Sequence, residues 1–209
     1  MLGQLARWLR RPRAQEPAVL EAFLARQAAF VAQKTVIDYC RVKSGRFERH
    51  TFADPDFQAA LRHCRWQTFA GSLQDVTALA EAWLRPHAPG REAALAAGLA
   101  ALGARVIDMA DAPPEERETL DSTKAALLRY LARLQERPPA SADRLELLAE
   151  APLLATLPIH PDQRVGETPS IRGALRFHIV TTQQEMERAF DAPALAAALS
   201  LVGDAQAAA

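Results

Sequence analysis

Cysteine and aromatic residues are scarce in this chain of 209 residues, which contains two cysteines and 6% aromatic residues. Two isolated cysteines, Cys40 and Cys64, with no Cys-x-x-Cys pair, exclude a disulfide framework, and we expect both to be reduced, buried and unligated. No apolar run approaches the ~18–20 residues of a membrane span. No apolar stretch follows the N-terminal arginines as it would in a secretory signal. These absences predict a cytoplasmic protein.

An excess of charge of either sign is also lacking, because 25 basic residues balance 25 acidic ones. A net charge of zero provides no overall attraction to nucleic acid, so we expect no nucleic-acid partner.

The motifs of common catalytic and cofactor sites are missing. The chain has no Gly-x-Ser-x-Gly, no Gly-x-Gly-x-x-Gly and no phosphate-binding loop. None of the five histidines has another histidine three or four residues further along, and the carboxylate pairs lie at predicted helix ends. The sequence therefore assigns no catalytic residue, no cofactor and no metal site, and it favours a protein that is not an enzyme.

The residues that are present predict helices. Hydrophobic residues make up 49% of the chain, and many of them are alanine, the strongest helix former. Helical spacing of apolar residues predicts two long helices at 17–43 and 55–85, which begin at Pro17 and at Asp54-Pro55. Ser44-Gly45 ends the first of them, and we expect a loop over 45–53. We therefore predict an all-α fold, an irregular helical bundle built on a long antiparallel helix hairpin. The expected organisation is an amphipathic arm and linker at 1–16, one helical domain at 17–202 and a frayed tail at 203–209.

Two later segments are less regular in pattern. The stretch 177–182 has a strand-like composition, but the helical spacing of apolar residues continues on both sides, so we predict helix. Ser141 is expected to cap a short helix that Pro152 interrupts.

Polar side chains lie among apolar ones along the predicted hairpin. Some of them must approach the interface between the two helices, and buried polar groups require partners. They form either an internal hydrogen-bond network or a polar pocket for a ligand. The candidate pocket residues are Gln33, Tyr39, Lys43, Arg65, Asp75 and Arg176.

Two of these segments resemble an uncharacterised family of all-helical proteobacterial proteins. Gln33, Thr35, Tyr39 and Lys43 match a Gln-x-Thr-x3-Tyr-x3-Lys run. Trp66, Ser72 and Asp75 match a Trp-containing helix that ends in Ser-x-x-Asp, and Leu175-Arg176-Phe177 resembles a Val-Arg-Phe near the C-terminus of the family. The resemblance implies a helical fold and implies no function.

Two classes of function remain open. The first is a non-catalytic interaction or assembly protein with an unidentified protein partner, peripheral on the inner membrane surface. The second is a small enzyme or ligand-binding protein that uses the polar groups of the 17–85 hairpin. A deep pocket lined by Tyr39, Arg65 and Arg176 would favour the second, whereas an exposed apolar patch over a filled core would favour the first.

The N-terminal segment 2–11 is a candidate amphipathic helix. Leucines occupy one side, arginines the other, and a tryptophan stands at the border, as at a membrane interface. The segment contacts either an anionic membrane or the protein's own core. The predicted membrane contacts are Leu2, Leu5, Trp8, Leu9, Arg10 and Arg11.

We predict that the full chain floats with anionic liposomes weakly and in a salt-sensitive way, because each arginine adds about 1 kcal/mol at an anionic surface. A chain that begins at Glu16 should stay in the dense fraction of the same flotation gradient. Equal flotation of the two proteins would leave the segment as a docking arm.

Overall fold

The computed structural model describes residues 13–208, and within them the chain is all-α. The predicted membrane-contact residues, from Leu2 to Arg11, lie outside the described residues. The described helices, numbered here in chain order, are α1 (Pro17–Ser44), α2 (Glu48–Ala53), α3 (Pro55–Leu84), α4 (Glu92–Met109), α5 (Pro114–Leu134), α6 (Glu150–Thr156), α7 (Thr168–Ala189) and α8 (Ala192–Ala207).

Prolines and acidic caps set the starts of the long helices. Pro17 and Pro55 stand in the first turns of α1 and α3, where a missing N–H costs no hydrogen bond. The Asp54 side chain accepts hydrogen bonds from the backbone N–H groups of Asp56 and Phe57, each at 2.9 Å. These local signals act before any tertiary contact forms, and both long helices begin where the sequence predicts.

The C-terminal half of α3 lies at the centre of the molecule. It packs against α1, α4, α5 and α6, and its residues from Thr68 onward are mostly buried. Four of the five buried polar side chains on this half have hydrogen-bond partners among the described residues, and Ser72 has none there. Glu81 is completely buried, and its carboxylate accepts hydrogen bonds from Arg85 Nε at 2.8 Å, Arg85 Nη2 at 2.7 Å and Gln135 Nε2 at 2.9 Å. The charge is thereby paired inside the protein, as a buried carboxylate requires.

Small residues bring α4 and α8 into backbone contact. A Cβ atom added to Gly98 would lie 2.2 Å from the carbonyl oxygen of Leu199, too close for any side chain. The two glycines, Gly98 and Gly203, thus allow an approach that no other residue permits.

Three sequence predictions are wrong. The stretch 45–53, expected to be a loop, forms a 3-10 turn (Gly45–Phe47) and α2. No helix begins at Ser141, and Pro152 lies in the first turn of α6 instead of interrupting a helix, since proline suits that position. The tail predicted to fray from residue 203 continues α8 to Ala207, because Gly203 is buried against α4.

The linker before α1 is held to the C-terminal part of the chain. Ala14 N–H donates to the carbonyl of Ala189 at 2.9 Å, and the carbonyl of Ala14 accepts from Asp191 N–H at 3.0 Å. The described part of the predicted 1–16 arm is therefore fixed where α7 meets α8, and not loosely attached.

None of the helices in residues 13–208 combines the length and the apolar character needed to cross a membrane.

We predict that Gly98→Ala lowers the free energy of unfolding by about 1–3 kcal/mol, because the added methyl group forces α4 and α8 apart. Gly173→Ala is the matched control. Gly173 lies in the second turn of α7, and its added Cβ meets no described heavy atom within 4 Å, so we expect a gain of about 0.5–1 kcal/mol from helix propensity. Urea unfolding followed by circular dichroism measures both. A Gly98→Ala protein as stable as Gly173→Ala would show that the α4–α8 contact is not tight.

Candidate functional site

The six candidate pocket residues do not converge on one pocket. Gln33 and Arg65 line a groove between α1, α3 and α4, whereas Tyr39 and Lys43 lie between α1 and the start of α7. Asp75 and Arg176 bind the segment before α6. The three places have different chemistry.

Asp75 and Arg176 hold the irregular segment 135–149 by its backbone. The buried carboxylate of Asp75 accepts hydrogen bonds from the N–H groups of Leu148 at 2.7 Å and Ala149 at 3.1 Å. Arg176 Nη1 donates to the carbonyl oxygens of Ala142 at 2.6 Å and Leu145 at 2.5 Å. These two residues therefore satisfy backbone groups of a segment that has no regular structure of its own.

Burial has the largest effect on the pKa of Asp75. It raises the pKa of this carboxyl from 3.8 to about 7, although the two N–H donors and nearby Arg176 act in the opposite direction. Tyr130 is also buried, its hydroxyl has no partner within residues 13–208, and burial together with the charge of Asp75 raises its pKa. The carboxyl is thus a structural group whose charge is costly to keep.

Tyr39 and Lys43 both bind Glu167, a residue that the sequence analysis did not single out. The Tyr39 hydroxyl donates to Glu167 Oε2 at 2.5 Å, and Lys43 Nζ lies 2.7 Å from Oε1. The hydrogen bonds from Lys43 and Tyr39 lower the pKa of Glu167. The hydrogen bonds of Tyr39 and Lys43 to Glu167 join α1 to the start of α7.

The groove that contains Gln33 and Arg65 is different, and we call it the arginine groove. It has a volume of about 390 Å³ and is open to solvent. It is lined by Ala25, Ala29, Ala32 and Gln33 of α1, by Arg62, Arg65, Trp66 and Phe69 of α3, and by Val106, Met109 and Ala110 at the end of α4.

The pattern on α1 explains why this space is unfilled. Ala25, Ala29 and Ala32 follow the spacing of one helix face, and a methyl group is too short to fill the gap toward Trp66 and Phe69. Met109 at the rim is 66% exposed. The helices therefore separate around an apolar recess instead of closing it.

The arginines of this groove have no ion-pair partner among the described residues. Neither Arg62 nor Arg65 pairs with a carboxylate there, whereas Arg85, Arg105 and Arg172 all do. Arg65 Nε is shut off from solvent without a hydrogen-bond acceptor in that part of the chain. The wall thus presents two guanidinium groups, one helical turn apart and without an ion-pair partner within residues 13–208, next to an apolar recess.

The two cysteines and the other potential ligand atoms give no evidence of a metal site. Cys40 and Cys64 are both buried and not linked to each other. Burial raises the pKa of the Cys40 thiol to about 12 and also raises that of Cys64, which disfavours the thiolate form. In the part of the chain that the structure describes, no three His, Cys, Asp or Glu side chains are grouped to hold an ion.

Comparison with protein-family models, with curated proteins and with solved structures finds no match to this chain. The resemblance to the helical proteobacterial family stays a prediction.

We predict that Asp75 makes the protein more stable as the pH falls from about 7 to about 4. The folded chain binds this proton more tightly than the unfolded chain does, so the contribution is complete below the unfolded pKa and is lost as the pH rises through about 7. The difference in unfolding free energy between wild type and Asp75→Asn should change by up to about 1.4 kcal/mol per pH unit in this range. Urea unfolding at pH 5, 6 and 8 tests it, and parallel pH profiles of the two proteins would contradict it.

Proposed function

We propose that this protein binds a small amphipathic anion in the arginine groove. The observation that carries the proposal is the pair of unpaired guanidinium groups, Arg62 and Arg65, on the wall of an otherwise apolar recess. This is the second of the two functions that the sequence leaves open. It is located on the same pair of helices, with α4 as a third wall, and it uses only Gln33 and Arg65 of the six predicted pocket residues.

The arginines require an anionic group on the ligand. A guanidinium that is partly removed from water and lacks a carboxylate partner gains most from an anion that it can bind through two parallel N–H groups. Arg65 is in this position, since its Nε is sealed from solvent with no described acceptor. Gln33, on the opposite wall, supplies an amide that can donate a further hydrogen bond.

The remaining walls of the groove are apolar and require an apolar part of the ligand. Alanine methyl groups of α1 face Trp66, Phe69 and Met109 across the recess. Each Å² of apolar surface that a ligand buries there contributes about 25 cal/mol. The volume of about 390 Å³ falls within the range of small-molecule sites. A short alkyl chain or a single aromatic ring fits this description.

An interaction protein is the second candidate, and a different surface favours it. Phe177 is 66% exposed and Phe30 42% exposed, and both rings pack edge-on against His178, with ring centroids 5.6 and 5.4 Å from it. Exposed aromatic clusters are typical of protein-binding surfaces. Photo-crosslinking from position 177 in cells, with the exposed Leu128 as the control position, would identify such a partner.

A peripheral position at an anionic membrane stays a proposal that rests on segment 2–11. It agrees with a ligand of amphipathic character, since such a ligand is concentrated in membranes.

We predict that the protein binds decanoate and that Arg65→Gln weakens this binding tenfold or more, because a hydrogen bond to a charged group contributes about 1.5–3 kcal/mol. Arg188→Gln, which removes an exposed arginine of α7, is the matched control and should bind as wild type does. Isothermal titration calorimetry measures all three affinities.

A second variant tests the recess itself. Ala29→Leu should fill the space between α1 and α3 and weaken the binding of decanoate and of the uncharged decanol alike. Decanoate binding that is unaffected by both Arg65→Gln and Ala29→Leu would overturn the proposal.

A further inference from the structure

A second cavity continues the arginine groove along α3. This cavity, which we call the acidic cleft, has a volume of about 680 Å³ and lies between α3 and the start of α5. Arg62 and Trp66 line both cavities. The two cavities therefore adjoin at these two side chains.

The walls of the acidic cleft carry two carboxylates that form no ion pair among the described residues, with Arg62 at the border to the arginine groove. Asp111 and Glu115 are exposed, and neither forms an ion pair within residues 13–208. Arg117, the nearest arginine on α5, donates instead to the carbonyl of Ala110 at 2.6 Å. The free carboxylates thus face the cleft while the nearby cation is engaged elsewhere.

Glu116 does not belong to this free pair. It is almost completely buried, and its two oxygens contact His63 Nδ1 at 2.7 Å and Gln67 Nε2 at 2.8 Å. This contact joins α3 to α5 and fixes the wall of the cleft. Trp66 adds an indole ring to the same wall, and the face of an indole attracts cations within about 6 Å.

We propose that the ligand is a zwitterionic single-chain amphiphile whose ammonium group lies in the acidic cleft and whose anionic group meets Arg62 and Arg65. This inference rests on the proposed function. The order of the surfaces is apolar recess, guanidinium pair, then carboxylates with an indole, so the ligand carries an apolar chain, an anion and a cation in that order.

The order of the charges specifies the chemistry of the anion. A fatty-acid carboxylate ends its chain and cannot continue past Arg62 into the cleft. A phosphodiester carries its negative charge in the interior of a chain and is substituted on both sides. The ligand class is therefore a phosphodiester with one apolar chain and one amino alcohol.

Two matched probes test the inference, decylphosphoethanolamine and decyl ethyl phosphate, which share the chain and the phosphodiester and differ in the ammonium group. Titration calorimetry should give a preference of about three- to tenfold for the first, the size expected for one or two partly exposed ion pairs. The double variant Asp111→Asn/Glu115→Gln should lose this preference and keep its affinity for decyl ethyl phosphate.

The control is Glu118→Gln/Asp121→Asn, which makes the same change of net charge on α5 outside the cleft and should keep the preference. Equal affinity of the wild type for the two probes, or a preference that survives in Asp111→Asn/Glu115→Gln, would overturn the inference and leave the proposed function intact. Failure of both probes and of decanoate to bind would overturn both.

Discussion

The burial of α3 is the constraint on which the rest of the structure depends. A helix that packs against several others keeps few buried polar groups without a partner, since each unpaired buried group costs free energy, and Ser72 Oγ is the exception on the C-terminal half of α3 among the described residues. The neighbouring segments are therefore arranged around its polar side chains. Asp75 holds the backbone before α6, and Glu81 joins Arg85 to Gln135 after α5. The irregular segment 135–149 has a defined course because these carboxylates bind at or beside it.

The candidate site lies where charged side chains of α3 lack ion-pair partners among the described residues. The N-terminal half of α3 is less buried, and Arg62 and Arg65 have no ion-pair partner among the described residues, although His63 between them contacts Glu116. Alanines on α1 leave the space beside them open, so the guanidinium groups line a recess instead of a sealed interface. On α3, the hydrogen-bonded carboxylates Asp75 and Glu81 thus belong to the scaffold, and Arg62 and Arg65 line the recess that we propose for a ligand.

Much of the fold could be predicted from the sequence, whereas the site could be predicted only in part. The signals that start the long helices, at Pro17 and Asp54-Pro55, involve only neighbouring residues. The same is true of the apolar spacing through 177–182, which correctly predicted helix there despite the strand-like composition. The candidate pocket required distances between helices, which periodicity does not contain. Gln33 and Tyr39 are six residues apart on α1, which is about 9 Å along the helix axis. They therefore line two different grooves.

The sequence by itself determined the helical class, the long helices and the absence of known catalytic motifs, because propensity, caps and spacing act within a few residues. Tertiary structure alone decided what each polar residue does. Glu167 became the partner of Tyr39 and Lys43, the predicted tail became helix because α4 covers Gly203, and Arg65 lay beside a recess that three alanines leave open. Each of these outcomes depends on contacts between residues distant in the chain, and the residue types alone do not specify which distant segments meet.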